Sequence, residues 1–90
     1  MAAKTTGEQS AATDERASVA AVIRGGVLLA LGRPADLFRV AVLPLWDEHY
    51  RVNVLTGPDA ATARVANSFF VVADGRGNIV RSIPAIARQY

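Results

Sequence analysis

The chain has 90 residues, a formal net charge of +2 with its single His neutral, and no Cys. That length allows one domain with a modest core. The missing thiols exclude a disulfide framework and any thiolate metal site, a usage expected of a protein in the reducing cytoplasm. Hydrophobic residues make up 51% of the chain, but seventeen of them are Ala, which bring little buried area each.

The charge excess is localised. Residues 1–36 balance Lys4, Arg16, Arg24 and Arg33 against Glu8, Asp14, Glu15 and Asp36, whereas residues 37–90 carry six Arg against four acids. Residues 1–12, small and polar with no apolar period, read as a mobile tail. Residues 13–90 then form a single α+β domain.

Thr13, followed by Asp14 and Glu15, has the chemistry of a helix start, and the spacing predicts a short helix to Arg24, ended by Gly25-Gly26. Val27–Leu31 is an apolar run that the flanking Gly26 and Gly32 favour as a strand, although continuation of the helix fits its length as well. The stretch from Ala17 to Leu31 is too short, with Arg24 inside it, to cross a bilayer. No basic segment precedes it, so neither a secretory leader nor a membrane contact is expected.

Leu37–Leu45 reads as a strand that must end or bulge at Pro44, which has no N–H for a ladder. Trp46, Asp47, Glu48 and His49 connect it to Tyr50–Leu55, where Tyr50, Val52 and Val54 point one way and His49, Arg51 and Asn53 the other. Thr56-Gly57-Pro58-Asp59 predicts a second short helix, to about Asn67.

Asn67–Ile83 then reads as a hairpin. Its aromatic and β-branched arms flank Asp74, Gly75, Arg76, Gly77 and Asn78, a turn that Asp and Gly chemistry favours. If Asp74 pairs with Asn78, then Phe69, Val71, Ala73, Ile79 and Ile83 share one face with Arg81, and Phe70 and Val72 share the other with Val80 and Ser82. The expected architecture is a small antiparallel sheet in the order α-β-β-β-α-β-β, with one or two short helices.

No catalytic or metal site, and no cofactor, is expected. Asp47, Glu48 and His49 with Asp74 supply carboxylates and the only imidazole, but one His beside turn acids more often forms a solvated loop. No G-x-S-x-G elbow is present. Gly75-Arg76-Gly77 is followed by Val80 where a dinucleotide fingerprint needs its third Gly. Arg76 also occupies a ligand position of a calcium loop.

Two binding readings stay open. The hairpin is apolar on both faces, so Phe69, Val71, Ile79 and Ile83 are candidates for a surface that docks another protein or a second copy, making the chain a non-enzymatic, homodimeric interaction or accessory module. Alternatively Arg39, His49, Arg51 and Arg76, near Trp46 or Tyr50, form a basic sheet face for weak binding of nucleic acid.

Across residues 46–90, the run HYRVNVLTG followed by ANSFFVVADGRGNIV and SIPAI resembles short bacterial proteins of unassigned role, and that resemblance implies no activity, cofactor or substrate.

Overall fold

A computed structural model describes residues 2–90 of the chain, with side chains from Arg16 onward. Helix α1 (Ala2–Leu31) is followed by strands β1 (Leu37–Trp46), β2 (His49–Thr56), β3 (Arg64–Ala73) and β4 (Ile79–Ile83). The strands form one antiparallel meander in the order β1-β2-β3-β4. The α+β class and the antiparallel sheet match the sequence reading, whereas the element order is α-β-β-β-β with one helix.

Helix α1 lies against one face of the sheet. Ile23, Val27 and Leu31 recur every four residues, so they form one stripe, and all three are buried. Opposite them the sheet contributes Val40, Val52, Val54, Phe69, Val71 and Ala73. Full burial of side chains of this size stabilises by about 1.5–3 kcal/mol each before cavity terms, so this stripe is the fold's main support.

The expected helix end at Gly25-Gly26 is overturned, and with it the strand at Val27–Leu31. The apolar stripe continues through both glycines, and the packing of Val27 and Leu31 offsets the roughly 1 kcal/mol that each Gly costs in a helix. Gly26 also lets the helix approach the sheet, since a Cβ there would sit 3.2 Å from Ile79 Cδ1. The stop is Gly32, left-handed at φ 93, whose N–H donates to Leu28 O at 2.8 Å. Nor is Thr13 a start, because the backbone is helical from Ala2, through most of the stretch read as a tail; the Thr13 side chain lies outside the described residues.

The second helix, expected from Pro58, is absent. Asp59 closes a turn instead: Oδ1 accepts the Thr62 N–H at 3.0 Å and the Thr62 hydroxyl at 2.8 Å, and β3 begins at Arg64. Val65 is the segment's single large apolar side chain, so a helix there would have almost nothing to bury, while β pairing with Leu55 gives its backbone a ladder. Consequently β3 runs antiparallel to β2.

The hairpin turn forms as expected, with Asp74 N–H donating to Asn78 O at 2.9 Å. Its register then departs from the expected one. Ala73 pairs with Ile79 but Val72 pairs with Arg81, so a bulge leaves Val80 without a partner. Ile83 is thereby set opposite Phe70, on the face away from α1, and the expected grouping of Ile83 with Phe69, Val71 and Ile79 is corrected. The C-terminal segment docks on the end of the helix. Gln89 and Tyr90 donate backbone N–H groups to Leu31 O at 2.7 and 3.1 Å, and the Tyr90 hydroxyl donates to Asn67 Oδ1 at 2.9 Å.

Candidate functional site

The face of the sheet opposite α1 has no described element packed on it. Strand alternation and the observed pairings arrange its side chains in cross-strand rows. Trp46, His49, Val72 and Arg81 form one row; Leu43, Arg51, Phe70 and Ile83 the next; Ala41, Asn53 and Ser68 a third; Arg39, Leu55 and Val65 the last.

The first row is fixed by the tight β1–β2 turn. Asp47 takes a left-handed φ of 47 there, a conformation short polar residues tolerate, and the turn sets Trp46 opposite His49. Their rings stack with centroids 4.8 Å apart and planes 20° from parallel. Phe70 leans into both, 5.9 Å from Trp46 and 5.5 Å from His49. His49 Nδ1 lies 3.2 Å from Trp46 O, which orients the imidazole over its neighbour. Trp46 remains 56% exposed although it belongs to this cluster.

Charge on the face is of one sign. Arg39, Arg51 and Arg81 carry guanidinium groups there, and none of the four strands contains an Asp or Glu. Arg51 stands directly between Leu43 and Phe70, with Nη1 reaching Ser68 Oγ at 3.4 Å; Ser68 Oγ in turn donates to Asn53 Oδ1 at 2.6 Å. The chain's acids within the described side chains sit in turns. Asp74 is occupied locally: its carboxylate accepts from the Asn78 side-chain amide at 3.1 Å, the Asn78 N–H at 3.0 Å and the Arg76 N–H at 2.9 Å. Those bonds, the Asn78 side chain foremost, hold its carboxyl below the ordinary value.

Of the residues expected to form a basic face, His49 and Arg51 are in adjacent rows with Trp46, and Arg39 is on the same face at its far end. Arg76 is not: it lines an open wedge of ≈ 1260 Å³ between α1 and the strand ends, with Val19, Val42 and Tyr50. Of the residues expected to form a partner surface, Phe69 and Val71 are buried under α1 and Ile79 packs against the same core, so only Ile83, 57% exposed, stands on the open face.

Sequence reasoning missed Phe70 and Arg81 as members of this face. Period-2 parity places Phe70 on a face within its own hairpin, but seating it opposite Arg51 requires the β2–β3 register, which a bulge at Ala66 sets. Arg81 is turned outward by the bulge at Val80.

Among the described residues no group of three or more His, Asp or Glu side chains is placed to hold a metal ion, and no helix is long and apolar enough to cross a membrane. No family model, curated protein or solved structure gives a significant match to the chain.

Proposed function

We propose that the protein is a non-enzymatic module that binds single-stranded nucleic acid on the open face of its sheet. One observation carries this reading: Trp46, His49 and Phe70 gather on an uncovered face beside Arg51 and Arg81, with Arg39 at the far end of the same face, on strands free of acids. Phosphates supply charge for the guanidiniums, and unpaired bases supply flat rings for the aromatics, each stack contributing about 1–3 kcal/mol. A flat, half-apolar, cationic surface suits a ligand that is both planar and anionic. A labelled oligothymidine at low salt should raise its fluorescence anisotropy with the native protein and not with Arg51→Glu. No binding by the native protein removes the proposal.

A protein partner, with a second copy as its simplest form, is the second reading, and Leu43, Leu45, Val65 and Ile83 favour it because all four are exposed. Against the second copy, a two-fold pairing of this face with itself brings together two surfaces whose strand charges are all arginine, with no strand carboxylate to offset them. Light scattering at tens of micromolar separates the readings. A dimer that Ile83→Asp dissociates supports the second; a single monomeric species counts against it.

A further inference from the structure

Around the β1 edge from the open face lies a second basic feature. A cleft of ≈ 360 Å³ is lined by Arg24, Arg33 and Arg39 together with Leu28, Phe38 and Val40. Among the described residues no Asp or Glu lines it. Its volume falls within the range of small-ligand sites.

The three guanidiniums come from three elements: Arg24 from α1, Arg33 from the turn after it, and Arg39 from β1. Arg24 is held in place, since its Nε donates to Val40 O at 3.1 Å in a half-buried setting. That bond uses one donor and leaves the two terminal amino groups, on a residue that lines the cleft, without a hydrogen bond among the described residues, in the fork geometry that matches phosphate oxygens. Gathering three like charges with no carboxylate among the described lining residues is unfavourable, and each guanidinium keeps its charge at any physiological pH. The arrangement is relieved by an anion, and most by one of charge −2.

We propose that this cleft binds a phosphomonoester dianion, as a free phosphate-bearing metabolite or as the terminal phosphate of a strand lying on the open face. The phosphate oxygens accept from the terminal amino groups of Arg24 and from Arg33 and Arg39, and Phe38 and Leu28 form an apolar wall beside the esterified group. Phosphodiesters, with a single negative charge and two bulky substituents, fit the cleft less well. The free-metabolite source stands without the sheet-face reading, because Arg24 and Arg33 lie off the sheet; the strand-end source rests on that reading and shares Arg39 with it.

The test is a titration of the full chain with inorganic phosphate at constant ionic strength, followed by NMR of the backbone amides and arginine Nε–H groups, with sodium chloride as the control. Saturable shifts at Arg24, Arg33, Arg39 and Val40, absent with chloride, are expected. Arg33→Gln, whose side chain is exposed and leaves the fold intact, should weaken phosphate at least about tenfold, as loss of a charge-assisted bond implies. Arg24→Gln should do the same but also loses the Val40 bond, so Arg33→Gln is the deciding variant. Shifts that do not saturate, that chloride reproduces, or that survive Arg33→Gln overturn the cleft.

The source is separated by comparing 5′-phosphorylated with 5′-hydroxyl oligothymidine. A preference for the phosphorylated strand that Arg33→Gln abolishes assigns the site to strand ends. Phosphate binding without that preference assigns it to a free metabolite. Oligonucleotide binding that needs Arg51 while phosphate fails to bind would overturn the cleft and leave the sheet-face reading standing; the converse pattern would do the reverse.

Discussion

Salt dependence gives the sheet-face reading a number. Three guanidiniums, those of Arg39, Arg51 and Arg81, lie on the open face of the sheet. If each takes one phosphate, and single strands release about 0.7 counterion per phosphate neutralised, log affinity falls against log salt with a slope of about −2.1. Raising salt from about 50 to about 200 mM then weakens binding about 18-fold. Arg51→Gln removes one contact, which flattens the slope to about −1.4 and the loss to about sevenfold. Arg76→Gln is the internal control. It removes the same charge from the chain, but Arg76 lies at the wedge beside α1, so the slope should stay that of the native protein. Fluorescence anisotropy of a labelled oligothymidine at four or more salt concentrations measures all three slopes. A native slope flatter than about −1, or equal flattening by Arg51→Gln and Arg76→Gln, refutes the reasoning, because binding would then follow net charge rather than the face.

The fold makes its own predictions. Gly77 is left-handed at φ 95 and a Cβ there would meet Val19 O at 2.7 Å and Val22 Cβ at 2.9 Å, so Gly77→Ala should lower stability by about 2 kcal/mol or more in urea unfolding. Gly75→Ala, with nothing within 4 Å of the added carbon, should stay within about 0.5 kcal/mol of native. Ile23→Ala removes a fully buried side chain from the centre of the helix stripe and should cost about 2–5 kcal/mol, seen as a drop in urea midpoint at unchanged m. The Asn78 side chain, then the Asn78 and Arg76 backbone N–H groups, hold the Asp74 carboxyl below its ordinary 3.8, so the folded state favours the charged form. Stability from this turn is therefore present above that value and lost as pH falls through the lower folded value. A native urea midpoint that falls more steeply below about pH 4 than that of Asp74→Asn is expected.

How much of this was legible follows from whether the deciding interaction is local. The Asp74–Asn78 turn and the alternation of β2 are read correctly, because an Asp side chain bonding the next few N–H groups and a period of two both lie within a few residues. Gly25-Gly26 misleads because what carries the helix through both glycines lies far along the chain: the sheet core that Val27 and Leu31 join, and Ile79, which approaches Gly26 closely. Pro58-Asp59 carries the chemistry of a helix start, yet the same Asp chemistry closes a turn when no apolar stripe follows it. At the site, parity places His49 and Arg51 on one face of β2, and Arg39 joins them through the β1–β2 register. Phe70 and Arg81 depend on two bulges that add a residue to one strand and not to its partner, and nothing in the local sequence announces either.

A single helix against four strands covers one face, and the chain's distribution of side chains fits that arrangement on the covered side: Val, Phe and Ala face α1, and none of the described buried polar side-chain atoms lacks a partner. The open side follows neither of the two usual patterns. A face meant only for water would alternate charges of both signs and keep its aromatics inside. A face meant for its own copy would place carboxylates where guanidiniums recur. Here Trp46, His49 and Phe70 form a cluster on the outer surface, and Arg51 stands beside Phe70 with its charge unopposed on the sheet. Arginine keeps such a surface soluble while its stem covers apolar neighbours. What remains is complementary to a ligand that brings negative charge and flat rings together, and this combination is the ground on which nucleic acid, rather than another protein, is proposed for the open face.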